Sequence, residues 1–295
     1  MSRTELYHLN PQKIAILADS CCDIPMKQAV EKGLFLVPLC ISGDDGEHFD
    51  GVDIFSADIY QRLASGETLK TSLPSGLAVE KVLDHIKELG YEKVLCLMLS
   101  SGLSGTYNLL RVTAEVREDL DIAVFDSRSG SLGSGMMVLQ LLEDVETGMN
   151  WEQLITHRVP QLIANTFPFF SVDTLEYLQK GGRIGLITAM AGTMLNIKPI
   201  LTFAHDGQLK NVAKVRGTKQ VQEKLVDTIR QLKGEHKKFN LAIANDGAPD
   251  SMAALRTRMA NEFPGFDHFY EGEIGATLSV YIGPGILGAA ITILD

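Results

Sequence analysis

The chain has 295 residues, of which 45% are hydrophobic and 22% charged, so it has the composition of a globular protein and is long enough for two domains. Its 37 acidic and 27 basic residues give a formal net charge of −10, which excludes a general affinity for nucleic acid or anionic membranes. No stretch has the length of a signal-peptide core or a membrane span, so we expect a cytoplasmic protein without stable membrane insertion.

The first half alternates short apolar runs with longer amphipathic segments. The apolar runs are continuous, which is typical of strands buried on both faces, and they predict strands at residues 14–18, 34–41, 93–99 and 122–125. Helical spacing predicts helices at residues 56–65, 76–89, 105–117 and 131–147. This order predicts an N-terminal α/β domain, residues 1–165, with a largely parallel sheet covered by helices.

After about residue 165 the strand-like runs become shorter and are separated by Gly, Asp and Asn. They predict strands at residues 169–172, 199–203, 209–215, 240–244 and 278–282, with helices at 185–195, 218–233 and 249–261. Asp206-Gly207 between two of the strands is a hairpin signal. We therefore expect a second domain, residues 166–295, of the α+β class with a mostly antiparallel sheet.

Cysteine and histidine do not form metal-binding patterns in this sequence. The four cysteines, Cys21, Cys22, Cys40 and Cys96, lie in or beside apolar segments and are interpreted as reduced, mostly buried thiols. The seven histidines are scattered without a spacing such as His-x-x-x-His. We expect neither a metal nor a cofactor.

A Gly- and Ser-rich segment, Leu99-Ser-Ser-Gly-Leu-Ser-Gly-Thr106, lies between a predicted strand and a predicted helix. Such a loop presents hydroxyls and free backbone N–H groups at a helix N-terminus, which suits an anion such as a carboxylate or phosphate. The alternative is that Ser104 or Thr106 only caps the helix.

A second polar turn, Lys70-Thr-Ser-Leu-Pro-Ser75, precedes the next predicted helix, with Ser75 as the expected N-cap. Thr71 and Ser72 then lie just outside the helix, so that two hydroxyl-bearing turns can converge on one point. Turns are also rich in these residues for purely local reasons.

The segment Leu175-Glu-Tyr-Leu-Gln-Lys-Gly-Gly-Arg-Ile184 contains a diglycine followed by an arginine. On a rigid turn Arg183 can hold a carboxylate or phosphate with two hydrogen bonds. The alternative is an ordinary helix C-cap followed by a solvated Arg183.

Together these segments resemble the DegV family, whose motifs occur in the same order over nearly the whole chain. The matching motifs are Ile16-Leu-Ala-Asp-Ser-Cys-Cys-Asp-Ile-Pro25, Phe49-Asp-Gly-Val-Asp53, Thr71-Ser-Leu-Pro-Ser75, Leu99-Ser-Ser-Gly-Leu-Ser-Gly-Thr-Tyr107, Tyr177-Leu-Gln-Lys-Gly-Gly-Arg-Ile184, Lys214-Val-Arg-Gly217 and Gly283-Pro-Gly-Ile-Leu-Gly288.

The resemblance implies a two-domain protein that binds one long-chain, palmitate-like fatty acid and catalyses no reaction alone. By the same resemblance, the carboxylate is held by Thr71, beside Ser72, and by Ser101 or Ser104, with Arg183 nearby. Some members of the family hand the acid to a separate fatty acid kinase, which makes the acyl phosphate used in phospholipid synthesis.

The chain departs from the family pattern at two positions. Many members have His two residues before the Gly-Pro-Gly turn, where this chain has Tyr281, and many have Gln where it has Leu73. Tyr281 can donate a hydrogen bond to the ligand, but tyrosine does not titrate near neutral pH as histidine does.

A phosphate- or nucleotide-binding transferase or hydrolase on a similar α/β scaffold is the main alternative, because such sheets often hold phosphates in Gly-rich loops. However, the sequence has no Walker-type loop, and Gly102-Leu-Ser-Gly-Thr106 departs from the hydrolase Gly-x-Ser-x-Gly pattern at its last position. A structural or protein-interaction role without a ligand also stays open.

Overall fold

The computed structural model describes residues 9–190, 197–246 and 249–295. The strands are β1 (Ile14–Asp19), β2 (Leu34–Val37), β3 (Cys40–Gly43), β4 (Gly46–Phe49), β5 (Lys70–Ser72), β6 (Lys93–Met98), β7 (Asp121–Asp126), β8 (Thr166–Ser171), β9 (Ile197–Phe203), β10 (Leu209–Arg216), β11 (Phe239–Asn245), β12 (Phe269–Glu273) and β13 (Leu287–Ile293).

The helices are α1 (Met26–Glu31), α2 (Ser56–Ala64), α3 (Gly76–Glu88), α4 (Thr106–Val116), α5 (Leu132–Glu146), α6 (Trp151–Gln153), α7 (Val159–Asn165), α8 (Glu176–Lys180), α9 (Gly217–Lys233), α10 (Pro249–Glu262) and α11 (Ala276–Ile282). A π-helical turn, Leu154–Arg158, joins α6 to α7, and 3-10 turns cover Ser20–Cys22 and Gly185–Met190. Within the described ranges, every helix is too short or too polar to cross a membrane.

The first sheet is parallel, with strand order β2-β1-β6-β7, as the sequence predicts. Helices cover both of its faces, because alternate residues of each strand point to opposite sides. Leu17 and Cys96 belong to the hydrophobic cluster on the α3 and α4 side, whereas Ile16 and Leu97 belong to the cluster on the α1, α5 and α7 side. The four helices predicted in this half are confirmed as α2, α3, α4 and α5, within one residue at each end.

The prediction of a single strand over residues 34–41 is wrong. The chain leaves β2 at Val37 and enters β3 at Cys40. Between them Pro38 has no N–H to offer a strand ladder, so the ladder stops there. Strand β3 pairs antiparallel with both β4 and β5, in a small sheet that was not predicted from the sequence. This small sheet carries Thr71.

The second sheet has strand order β10-β9-β8-β13-β11-β12, and its neighbouring strands are antiparallel except for the pair β11 and β12. The prediction of an α+β half with a mostly antiparallel sheet is therefore confirmed. Helices α9 and α10 cover one face of this sheet. The predicted hairpin joins β9 to β10, and Gly207 adopts the positive φ of +78° that favours glycine.

The strand predicted at residues 278–282 is wrong, because this segment belongs to helix α11. A run of five residues is too short for its periodicity to distinguish a strand from a helix. In the structure Gly275 precedes the helix, and Gly283, with φ +65°, follows its last residue. The central strand β13 and the edge strand β12 were both missed.

Helix α5 connects the two halves, since it contacts β1 and β6 of the first sheet and β8, β11, β12 and β13 of the second. The predicted boundary between residues 165 and 166 coincides with the end of α7 and the start of β8, and the division into two domains stays a prediction. The helix predicted at residues 185–195 begins as the 3-10 turn Gly185–Met190, whereas residues 191–196 lie outside the described residues.

Candidate functional site

A cavity of about 270 Å³ is lined by residues of the small sheet and the second sheet, by the loops that follow β2 and β6, and by the start of α5 and helix α11. Its volume is close to the lower end of the range of ligand cavities, roughly 300–1,000 Å³. Most of its lining is apolar and includes Leu99, Leu103, Leu132, Phe170, Phe203 and Ile286.

A smaller part of the lining, here called the polar cluster, consists of Thr71, Ser72, Ser104, Arg183 and Tyr281. The oxygens of Thr71 and Tyr281 lie 2.5 Å apart and share a hydrogen bond. Strand β5 carries Thr71 and Ser72, whereas helix α11 carries Tyr281, so the small sheet and the end of the chain meet here. These are five of the six residues proposed from the sequence.

Arg183 is held against the cavity by its own turn and by the Ser-rich loop. Its Nη1 donates to the Gly181 carbonyl at 2.8 Å, and its Nε donates to the Leu103 carbonyl at 3.2 Å. Its guanidinium carbon lies 4.9 Å from the centroid of the Tyr281 ring, a cation–π contact. The arginine is therefore partly buried at the cavity rather than solvated.

Each of the two glycines before Arg183 is required for a different structural reason. Helix α8 ends at Lys180, and Gly182 takes a positive φ of +71°, as expected after a helix end. Gly181 has no room for a side chain, because an added Cβ would lie 2.2 Å from the Tyr281 ring. The helix-end interpretation therefore holds for Gly182, and the same turn brings Arg183 to the cavity lining.

The Ser-rich loop contributes Ser104 to the cavity. The Ser104 hydroxyl lies 2.9 Å from the Thr106 hydroxyl and accepts a hydrogen bond from the Thr106 N–H at 3.3 Å. Ser101 faces elsewhere: it is exposed, and its hydroxyl and N–H both donate to the Asp126 carboxylate. Of the two serines proposed from the sequence, the structure brings only Ser104 to the polar cluster.

The residues of the polar cluster are better suited to binding a carboxylate than to binding a metal ion or acting as a nucleophile. Arg183 supplies a cation, the Ser104 hydroxyl can donate a hydrogen bond, and the Thr71–Tyr281 pair has one further hydroxyl proton to donate, since one of these two hydroxyls donates to the other. Within residues 9–190, 197–246 and 249–295, no three His, Cys, Asp or Glu side chains are arranged to hold a metal ion. All four cysteines are free and buried, and burial raises the pKa of Cys21, Cys22 and Cys96, as expected of inert thiols.

Buried carboxyl groups lie close to the cavity and were not assigned to the site from the sequence. Asp19 accepts hydrogen bonds from the N–H groups of Leu99, at 2.6 Å, and Cys21, at 3.0 Å. Burial raises the pKa of its carboxyl to about 7, although these two bonds oppose the shift. Because Leu99 lines the cavity, Asp19 supports the cavity wall from behind.

Asp50 ties the first half of the chain to helix α11. It accepts hydrogen bonds from the Ser20 hydroxyl at 2.8 Å and from the Ala276 N–H at 2.9 Å. Asp19, Ser20 and Asp50 all belong to motifs that the sequence analysis used only as family markers. Those acidic motifs were the signal that could have pointed to this buried cluster.

The sequence and the fold are both similar to those of known proteins. A family model described as "Uncharacterised protein, DegV family" matches residues 13–293. A DegV domain-containing protein of Clostridium perfringens is 34% identical over 95% of this chain and 98% of its own length.

Two solved structures are similar over 95% of this chain. One, from Thermus thermophilus and described by its fatty acid binding, has 31% identity, a TM-score of 0.89 and 99% of its length covered. The other, a stearic acid-binding protein of Eubacterium ventriosum, has 25% identity, a TM-score of 0.84 and 98% coverage. Both descriptions agree with the expectation of a binding protein rather than an enzyme. On the family match and these relatives, the chain belongs to the DegV family.

Proposed function

We propose that this protein binds one long-chain, palmitate-like fatty acid, with the carboxylate at the polar cluster and the acyl chain along the apolar lining. The observation that carries the proposal is the composition of the cavity wall: among the residues that the structure describes, it is apolar except for a few hydroxyls and one partly buried arginine, Arg183. This arrangement fits a molecule with one anionic group and a long hydrocarbon chain.

The energetics favour an acyl ligand over a nucleotide. Burying about 14 methylene groups at roughly 0.8 kcal/mol each contributes on the order of 11 kcal/mol, and each hydrogen bond to the carboxylate adds about 1.5–3 kcal/mol. The hydrocarbon therefore supplies most of the affinity, while the polar cluster prevents an unpaired buried carboxylate. A nucleotide would need far more polar partners than the cavity lining offers.

The two solved relatives support the proposal, because one is described by its fatty acid binding and the other as a stearic acid-binding protein. Thr71, Ser72, Ser104, Arg183 and Tyr281 are the proposed ligand-contacting residues. Of the six residues predicted from the sequence, Ser101 has the weakest support, since its hydroxyl already donates a hydrogen bond to Asp126.

The finer part of the proposal is that the bound acid is presented to a separate fatty acid kinase for phospholipid synthesis. It rests on the family resemblance and on the position of the polar cluster. Ser72 and Leu73 belong to the cavity wall and are also exposed to solvent, so the carboxylate would lie near the protein surface. A kinase could then reach the carboxylate while the acyl chain stays buried.

Mass spectrometry of an organic extract from the purified protein tests the binding proposal. We expect about one equivalent of a long-chain fatty acid, retained because burial of the chain slows its release. Delipidated protein should then bind such an acid saturably, as measured by isothermal titration calorimetry. A delipidated, folded protein that binds no long-chain fatty acid would overturn the proposal.

A further inference from the structure

Helix α11, which carries Tyr281 to the cavity, has only two turns and is bounded by glycines. It runs over Ala276–Ile282, with Gly275 before it and Gly283 after it. A helix of this length is not stable by itself, and glycine restricts the chain less than any other residue. The position of Tyr281 therefore depends on side chains of other elements that hold α11 in place.

The two faces of α11 make different contacts. The face towards the cavity consists of Thr277, Leu278, Tyr281 and Ile282. The opposite face, roughly half a turn away, carries Ala276, Ser279 and Val280. Ala276 and Val280 belong to a hydrophobic cluster with Ile59 of α2, whereas Ser279 brings a hydroxyl that is fully buried. The polar contact that can fix α11 from behind is therefore made by Ser279.

Three segments of the chain meet at the Ser279 hydroxyl. It lies 3.0 Å from the Tyr60 hydroxyl of α2 and 3.1 Å from Oδ2 of Asp246, the residue directly after β11. Tyr60 also donates a hydrogen bond to this carboxylate oxygen. Asp246 is only 4% exposed, and a buried carboxylate requires such donors. The Tyr60 hydroxyl thus links α2 and the end of β11 to the face of α11 that points away from the cavity.

On the cavity side, several contacts of the polar cluster depend on where α11 lies. The Tyr281 hydroxyl shares a 2.5 Å hydrogen bond with Thr71, and the Tyr281 ring lies 4.9 Å from the guanidinium carbon of Arg183. Hydrogen bonds tolerate only a narrow range of distances and angles. A displacement of α11 would therefore disturb the contacts of Tyr281 with Thr71 and with Arg183 at the same time.

We propose that Tyr60 is a positioning residue for the carboxylate site: through Ser279 and Asp246, its hydroxyl holds α11 where Tyr281 meets Thr71 and Arg183. Tyr60 is not among the described residues that line the cavity, so it acts through α11 and not by touching the ligand. This inference rests on the proposed fatty acid binding and adds a residue that determines how the head group is held.

The test is a double-mutant cycle on delipidated full-length protein, with palmitic acid affinity measured by calorimetric titration. We expect Tyr60→Phe, which removes only the hydroxyl, to weaken binding about 3- to 10-fold, the effect of one net hydrogen bond. In a Tyr281→Phe background the same change should weaken binding by at most about twofold, because the hydroxyl that Tyr60 positions is already gone. Ser279→Ala should give the same pattern, and it provides the cycle if Tyr60→Phe does not fold.

Tyr91→Phe is the matched control, because Tyr91 is a 4% exposed tyrosine that packs against Phe35 and is not among the described residues of the cavity lining. It should leave palmitic acid affinity unchanged even if it lowers the unfolding temperature. An equal loss of affinity from Tyr60→Phe in both backgrounds, or no loss in the wild-type background, would show that Tyr60 supports only the fold, and the inference would be wrong. If the folded wild-type protein binds no long-chain fatty acid, the proposed function itself fails.

Discussion

Tyr281 on helix α11 shares a 2.5 Å hydrogen bond with Thr71 on strand β5, although 210 residues separate them in the chain. This contact places a phenol at the position where the resemblance to the family leads one to expect histidine. A tyrosine keeps its proton near neutral pH, whereas a histidine exchanges it there. The contact therefore gives the polar cluster a phenol hydroxyl in place of an imidazole.

Replacing Tyr281 by His should make fatty acid affinity more dependent on pH than it is in the wild-type protein. Below a pH of about 6.5 the imidazole is protonated and attracts the carboxylate, so fatty acid affinity should decrease as the pH rises through this value. Calorimetric titrations between about pH 5.5 and 8 would measure the effect, with Tyr281→Phe as a control that cannot titrate. Equal slopes for the three proteins would place the carboxylate away from residue 281.

Thr71→Val and Ser104→Ala should each weaken fatty acid binding by about 1–3 kcal/mol, because each removes one donor to a charged acceptor. Ser101→Ala is the matched control, since its hydroxyl is bonded to Asp126 outside the cavity, and it should leave affinity unchanged. Affinities measured on delipidated variants, alongside their unfolding temperatures, separate loss of binding from loss of fold. A larger loss for Ser101→Ala than for Ser104→Ala would reverse the choice between the two serines.

Arg183→Lys should weaken head-group binding about tenfold. A lysine ammonium cannot reproduce the planar guanidinium that bonds to the Gly181 and Leu103 carbonyls while it lies over the Tyr281 ring. Fatty acid affinity and kinase-dependent acyl phosphate formation should be assayed separately. Unchanged affinity with lost phosphorylation would assign Arg183 to the kinase interface, and no change in either assay would remove it from the site.

Gly288→Ala should shift ligand preference towards shorter acyl chains. Gly288 lines the cavity, and an added methyl group would meet its nearest neighbours, Phe169 O and Phe170 Cβ, at an ordinary 3.4 Å. The variant should therefore fold but have less room for hydrocarbon. Binding of a series of saturated acids would measure the shift, with Gly76→Ala as control because a methyl there contacts nothing within 4 Å. An identical chain-length profile in both variants would show that the acyl chain does not reach Gly288.

Asp19→Asn should change how stability depends on pH. The carboxyl pKa rises from an ordinary 3.8 to about 7 on folding, so between these values the folded state holds a proton that the unfolded state has lost. This group's contribution to the free energy of unfolding is therefore greatest at acid pH, decreases as the pH rises to about 7, and is constant above it. Urea denaturation of both proteins at several pH values should show a steeper decrease in the wild type than in the variant, which keeps Asp23 and Asp50 with their raised pKa values; parallel curves would contradict the pKa shift of Asp19.

Much of the fold could be predicted from the sequence because its signals are local. The four parallel strands belong to a sheet that helices cover on both faces, and they are therefore continuous apolar runs. The apolar residues of helices α2 to α5 recur with a clear helical periodicity, because these helices bury them against the rest of the protein. The Ser-rich loop, the Thr71 turn and the Arg183 turn were recognisable because turns and helix ends require particular residue types.

Only the tertiary structure decided which of these residues face the cavity. Ser101 and Ser104 have the same chemistry and lie three residues apart, yet one bonds to Asp126 and the other lines the cavity. The conformation of residues 278–282 was likewise set by packing, since five apolar-rich residues fit a helix or a strand equally well. The pairing of Thr71 with Tyr281 likewise depends on the tertiary structure, because the two hydroxyls belong to segments 210 residues apart in the chain.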